Sequence, residues 1–269
     1  MIRVTDWNVS GDPLPGMGFK DHFSGHANEY TRYRPSYPGE LFNWLAQRAP
    51  AHALAWDCAT GSGQAALGLA ADFDAVIATD ASREQIANAH AHARVRYAVA
   101  PAEDSGIAAR SVDLIAVGQA LHWFDFSAFY AEAARVLRPG GVLAAWGYGL
   151  MQVSPAVDAA VWRLYEPIVG AYWPPERCHV EEQYRTLPFP LYEIAVPEFV
   201  MKADWTLAQL VGYLGTWSAV QRYRQERGAD PLVLIADALA VAWGDAETRR
   251  RVRWPLFMRA GCFGGTICG

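Results

Sequence analysis

The stretch Ala53-Leu-Ala-Trp-Asp-Cys-Ala-Thr-Gly-Ser-Gly63 decides the fold. Its apolar opening, residues 53–56, reads as a buried strand that stops at an acid, Asp57. Gly61 and Gly63 then make a tight loop, and residues 64–71 (Gln-Ala-Ala-Leu-Gly-Leu-Ala-Ala) read as a helix. Strand, glycine loop and helix open a nucleotide-binding βαβ unit, where a missing Cβ lets backbone approach a ligand. A second apolar strand, residues 75–79, ends in Asp80. An acid about 20 residues beyond a glycine loop is placed to accept hydrogen bonds from both ribose hydroxyls. Either acid alone would serve as a helix cap or a turn residue. Two of them, each at a strand end, point to a nucleotide site.

The nature of the nucleotide turns on Asp57. A dinucleotide loop carries three glycines, and here only Ala66 could stand for the third. A carboxylate at the end of the first strand would repel a pyrophosphate, but it suits a ligand with a positive charge and no phosphate. S-adenosylmethionine (SAM) is such a ligand. The run from Asp57 to Gly63 resembles the first motif, acid-x-Gly-x-Gly, of the class I SAM-dependent methyltransferases. It departs from that motif in having Ala59 where the first glycine usually stands.

That resemblance implies an α/β fold: a Rossmann-like, doubly wound sheet of seven strands, the last antiparallel, with helices on both faces and a small helical lobe. It also implies three regions: a lead-in and lid over 1–50, a SAM-binding core over 51–150, and substrate-side helices with the last two strands over 151–269. By the same resemblance, Asp57, Ala59 and Gly61 hold the methionine end of SAM and Asp80 with Ala81 holds the ribose. Ala102 and Glu103 flank the adenine, after a third strand over 95–100. Tyr30 and Arg34, in the lid segment 21–38, are candidates to contact the methionine carboxylate or a substrate. Surface pairing and core packing are the plainer roles for those two residues.

A fourth strand over 112–118 is continuously apolar apart from Asp113, as a central parallel strand covered on both faces should be. It leads into Gln119-Ala-Leu-His-Trp-Phe-Asp125, where Asp125 should cap a helix over 126–137. Gln119, His122 and Trp123 therefore lie at the carboxyl end of a central strand, beside the switch point where open α/β sheets bind ligands. Gln119 is a candidate cofactor contact and Trp123 a substrate contact. A histidine there can take the proton of a hydroxyl or amine acceptor during in-line methyl transfer, which makes His122 the candidate catalytic base. A carboxylate acceptor would need no base, and a structural loop histidine is the plain alternative. Arg138-Pro-Gly-Gly141 reads as a helix stop and turn before a fifth strand over 142–146.

The second half is less diagnostic. Ser154-Pro155 starts a helix, Thr206 with Gln209 forms a capping box, and further helices are expected over 216–227 and 230–243. A late strand pair at 193–202 and 250–259 would finish the sheet, with Pro255 confining its strand to an edge or irregular position. Ser82 should start a helix that reaches about residue 93. Tyr148, Trp173 and Trp217 are candidate substrate contacts, with Trp146, Tyr172, Arg222 and Tyr223 as further candidates to shape the acceptor pocket. For any one of them, core packing is the plainer role.

Composition narrows the class. The 269 residues carry a net charge of −5, and no basic cluster exceeds Arg249-Arg250-Arg251. A nucleic-acid substrate would require a broader basic footprint. There is no apolar run of membrane-spanning length and no basic-then-apolar leader, so a cytoplasmic protein with no membrane partner is expected. The four cysteines lack metal-ligand spacing and are expected as reduced thiols, with no metal site. With 11 Trp and 12 Tyr, the chain has the aromatic content for a closed, dry pocket around a small molecule.

The expected activity is therefore methyl transfer from SAM to a small organic acceptor, at a carboxylate or hydroxyl oxygen or at nitrogen, yielding S-adenosylhomocysteine. The protein would act as a monomer or homodimer. The nearest branch by resemblance is the trans-aconitate methyltransferase-like proteins. A SAM-binding sensor without catalysis is the alternative from another class. An NAD-dependent oxidoreductase is disfavoured by Asp57 and by the lack of a catalytic Tyr/Lys or His/Asp pair.

Overall fold

The computed structural model describes residues 35–263. Residues 1–34, including Tyr30 and Arg34, lie outside it, as do 264–269.

The strands are β1 (Leu54–Cys58), β2 (Ala75–Asp80), β3 (Val95–Val99), β4 (Val112–Gly118), β5 (Leu137–Tyr148), β6 (Tyr192–Glu193), β7 (Phe199–Trp205) and β8 (Arg250–Cys262). The helices are α1 (Gly39–Arg48), α2 (Gln64–Leu69), α3 (Arg83–Ala87), α4 (Phe126–Val136), α5 (Pro155–Arg163), α6 (Arg177–Glu181), α7 (Leu207–Gly215), α8 (Ser218–Arg227) and α9 (Ala236–Trp243). The sheet order is β3-β2-β1-β4-β5-β8-β6, with β7 also paired to β8. β1 to β5 run parallel, and β8 enters antiparallel beside β5. The chain reverses its winding between β1 and β4, which creates a crevice at the carboxyl ends of the strands.

The period-2 alternation of each strand feeds two apolar layers. Ala55, Val76, Ala78, Leu114 and Ala116 face one layer with α1 and α2; Trp56, Cys58, Ile115 and Val117 face the other with α4. A third apolar cluster, built from residues between Tyr148 and Trp254, belongs to the helical lobe. Side-chain caps mark where the helices begin. The Ser82 hydroxyl accepts the Gln85 N–H, Asp125 accepts from Ala128, Ser154 from Val157, and Thr206 and Gln209 close a reciprocal box.

Three expectations need correction. The sheet has eight strands rather than seven, because the expected strand 193–202 is broken by Pro197 into β6 and β7, which pair with opposite ends of β8. β8 lies between β5 on one side and β6 and β7 on the other, so of the two positions expected for Pro255 it takes the irregular one and not an edge. Pro255 is tolerated because it falls at a gap in the β5 ladder, between the Tyr148–Leu256 pair and the Gln152–Arg253 bridge. The helix from Ser82 stops at Ala87, where the Asn88 amide donates to the Glu84 carbonyl and closes the last turn. Cys58 and Cys178 are free, but Cys262 is disulfide-bonded. The expectation of four reduced thiols rested on metal-motif spacing, which carries no information about a disulfide.

Among the described residues no helix is long and apolar enough to cross a membrane.

Candidate functional site

The loop after β1 is shaped by left-handed backbone. Ala59, Gly61 and Gly63 have φ of 56°, 56° and 89°. At Gly63 glycine is required twice over, since an added Cβ would also lie 2.2 Å from the Tyr97 hydroxyl. Ala59 takes the same backbone region at a cost of about 1–2 kcal/mol. The turn is tied to β2 at two points. Thr60 donates its N–H to the Thr79 carbonyl at 2.9 Å, and Gly61 donates its N–H to Asp80 Oδ2 at 2.9 Å. The other Asp80 oxygen accepts the Ser82 N–H at 2.8 Å. Asp80 thus sits half-buried at the strand end with the glycine loop drawn against it.

Asp57 is buried beside it, 1 % exposed, and accepts the Thr60 hydroxyl. Burial pushes its carboxyl up to about 7, against the downward pull of Thr60 and of the Ala66 N–H; the charge of Asp80 adds to the rise. A buried carboxylate held so high is stabilised by an incoming cation and destabilised by an incoming anion. The donor set therefore fits the sulfonium and ribose of SAM and does not fit a pyrophosphate. Past β3, where the adenine contacts were expected, Ala102 is buried and Glu103 is half-buried, its Oε1 accepting the Asp125 N–H at 3.0 Å. Ala81 is half-buried between Asp80 and the Ser82 cap.

The loop after β4 is built differently. Gln119 is left-handed at φ 60°. Its side-chain amide acts as a rung of the sheet: Nε2 donates to the Tyr148 carbonyl and Oε1 accepts the Tyr148 N–H, each at 3.0 Å. The structure thus gives Gln119 a scaffold task, holding the ends of β4 and β5 together. His122 and Trp123 follow in a short 3₁₀ turn, Leu121–Trp123. The His122 ring is 8 % exposed, lies 4.6 Å from the Trp123 ring, and places Nδ1 2.9 Å from the Tyr184 hydroxyl. Burial, then the charges of Arg177 and His179, push the imidazole down to about 3. That direction keeps His122 neutral at pH 7 and makes it a weaker proton acceptor than an ordinary histidine, which weighs against the base role expected for it.

Trp173 and Trp217 stand one layer further out, in a cluster with Tyr165. Ring centroids are 5.1 Å apart for Tyr165–Trp173, 5.6 Å for Trp173–Trp217 and 5.8 Å for Tyr165–Trp217. The Arg177 guanidinium lies 4.9 Å from the Trp173 ring centroid and donates from Nε to the Tyr165 hydroxyl at 2.9 Å. A half-open cleft of about 300 Å³ adjoins them, lined by Tyr165, Trp173, Arg177, Cys178 and Glu181 among others. Tyr148 is buried in the lobe cluster, and its backbone, through Gln119, is what reaches the site.

The structure thus brings Asp57, Ala59, Gly61, Asp80 and Ala81 together at one mouth, and His122, Trp123 and Gln119 at another. Tyr184 and Arg177 were not anticipated. Neither sits in a recognisable motif, and both come from the far side of β5. Among the described residues no three His, Cys, Asp or Glu side chains gather in a way that could hold a metal ion.

Comparison with known proteins supports the same region. A methyltransferase domain family matches residues 56–145. A methyltransferase of Dictyostelium discoideum is 33% identical over 255 residues, covering 91% of this chain and 97% of the relative. Methyltransferase cfoB of Aspergillus candidus is 28% identical over 269 residues, covering 86% and 82%. A solved structure, described as a type II methyltransferase from Anaeromyxobacter dehalogenans, has a TM-score of 0.81 at 53% identity. That match covers 85% of this chain and 97% of the other.

Proposed function

The chain belongs to the methyltransferase family, and on that premise we propose that it transfers a methyl group from SAM to a small organic acceptor bound against the loop after β4. The observation that carries this reading is the pairing of a buried, proton-hungry Asp57 with an Asp80 that faces the glycine loop. Asp57 would face the methionine end, Asp80 and Ala81 the ribose, and Ala102 with Glu103 the adenine. Tyr30 and Arg34, within region 1–50, are proposed as contacts to the methionine carboxylate or a substrate. When bound, SAM supplies an electrophilic methyl group, so this chain's own task is positioning and the exclusion of water. The β4–β5 clasp made by Gln119 fixes the loop that bears His122 and Trp123.

The acceptor atom is read as oxygen, a carboxylate before a hydroxyl, with nitrogen third. The Arg177 guanidinium bears on His122 and favours an anionic acceptor. This agrees with a place near the trans-aconitate branch. Trp173 and Trp217 would form the outer wall. The acidic chain, of net charge −5, is not suited to nucleic acid as substrate.

Calorimetric titration with SAM, S-adenosylhomocysteine and NAD in parallel tests the cofactor. Binding of the first two in the micromolar range with NAD silent is the expected result. NAD binding with SAM silent overturns it. Formation of S-adenosylhomocysteine with a carboxylate panel then tests the acceptor class against alcohols and amines.

A further inference from the structure

Hydrogen-bond accounting at His122 leads to a role different from proton abstraction. We propose that Tyr184 is a positioning residue that fixes His122 as its Nε2–H tautomer, so that His122 donates a hydrogen bond to the methyl acceptor instead of taking its proton. This deepens the methyl-transfer reading and rests on it.

His122 lies in the turn Leu121–Trp123. Against this turn stands the buried Tyr184, whose hydroxyl meets the His122 ring at Nδ1. A phenolic hydroxyl has two lone pairs and one proton. Tyr184 is fully buried, and among the described residues its hydroxyl proton has no acceptor besides His122 Nδ1. The contact of 2.9 Å to His122 Nδ1 must therefore be the tyrosine donating its proton to a bare nitrogen. A neutral imidazole with a bare Nδ1 carries its hydrogen on Nε2. Nε2 has no hydrogen-bond partner among the described residues, yet it is not among the sealed orphan atoms of the interior. It is thus a donor that opens onto accessible space at the carboxyl end of β4.

The tyrosine is held as a fixture. Gln183 and Tyr184 are both left-handed, at φ 56° and 59°, a costly arrangement that persists only where surroundings over-determine it. They do so here. The Tyr184 N–H donates to the His179 carbonyl at 2.8 Å. Arg259 Nη1 donates to the Tyr184 and Leu187 carbonyls at 3.1 and 2.8 Å. The ring is fully buried, edge-on to Phe257 at 5.0 Å. Burial raises the Tyr184 hydroxyl well above its ordinary value, so its proton stays in place for donation. Burial and the neighbouring Arg177 disfavour a second proton on the ring, so the neutral form is the one to be placed. No proton moves at His122 during transfer, so the acceptor atom arrives without one to lose.

The test needs no acceptor. Long-range ¹H–¹⁵N correlation spectra of the full chain, labelled at the histidine rings and assigned with His122→Gln, report which nitrogen bears hydrogen. The expected result is a bare Nδ1 and a protonated Nε2, unchanged from neutral pH down to about pH 5. Tyr184→Phe should convert this single form to a mixture and let His122 take up a proton at higher pH. An Nδ1–H form in the wild type, or an imidazolium at neutral pH, overturns the proposal. So does a His122 signal unmoved by Tyr184→Phe. If that variant does not fold, the wild-type spectrum decides alone. A SAM titration of the same sample reports separately whether the cofactor reading stands.

Discussion

The two mouths of the crevice are held by different means. At the ends of β1 and β2 the site is made of near neighbours: loop backbone, two carboxylates and a cap, all between Asp57 and Ser82. At the end of β4 the site is made by reach. Tyr184, 62 residues from His122, supplies the contact that orients it, and the lobe supplies Arg177. A local site can be carried unchanged from one protein to another with its loop. A site assembled at long range changes whenever the insertion that supplies it changes. The β1–β2 mouth is thus built from one short stretch of chain and the β4 mouth from several distant ones, and each variant below tests one side of that contrast.

The largest effect is expected from Asp57. Its folded value of about 7 lies above the ordinary 3.8, so between these values the folded chain keeps a proton that the unfolded chain has lost. The stability it contributes is present below about pH 4 and is lost as pH rises toward 7, by about 1.4 kcal/mol per unit. Asp57→Asn does not titrate. Its stability relative to wild type should rise across that window by a total on the order of 4 kcal/mol, read from urea unfolding at several pH values. In the wild type SAM affinity should increase as pH rises through 7, because a cation favours the carboxylate. Parallel pH profiles for the two proteins would remove the electrostatic basis of the cofactor end.

Next is Asp80→Ala. It deletes the carboxylate read as the ribose acceptor and releases the Gly61 and Ser82 N–H groups. Calorimetry should show SAM binding weakened by on the order of 100-fold. A loss below about fivefold would mean that Asp80 serves only the loop.

How far each end is legible in the sequence follows from the same contrast. The parallel core could be read because continuous apolar runs, strand-end acids and glycine spacing are local. Asp125, Ser154 and Thr206 cap as their positions suggest, because caps act over three residues. The split of one late strand around Pro197 depended on how β8 divides its partners. His122 could be placed in the right loop, but its chemistry could not be read. The tautomer is set by Tyr184, the charge by burial and Arg177, and none of these is adjacent in sequence.

Tyr184→Phe probes the long-range side directly. The ring stays, so packing against Phe257 survives, but the buried His122 Nδ1 loses its hydrogen-bond partner. Stability should fall by about 2 kcal/mol, measured by urea unfolding with an unchanged slope. SAM affinity should change by less than about threefold, since nothing at the β1–β2 mouth is touched. A matching loss of SAM binding would show that the two ends are one unit and would break the comparison.

The smallest effect, and the finest test of the local side, is Ala59→Gly. Alanine pays about 1–2 kcal/mol for its left-handed backbone at φ 56°, which glycine would recover. Glycine would in turn cost about 0.4–1 kcal/mol through the freedom it gives the unfolded chain. It would also lose part of a methyl group packed on the Trp56 layer, worth at most about 0.8 kcal/mol. These terms nearly cancel, so unfolding should place the variant within about 0.5 kcal/mol of wild type, with SAM affinity unchanged. That cancellation is the physical reason alanine can occupy the position where the family motif usually has glycine. Ala59→Val, whose branched side chain tolerates this backbone least, should cost more than 2 kcal/mol on the order-of-magnitude scale of such strain. A glycine variant that loses more than about 1 kcal/mol, or that binds SAM differently, would mean the Ala59 methyl is itself a wall of the cofactor site.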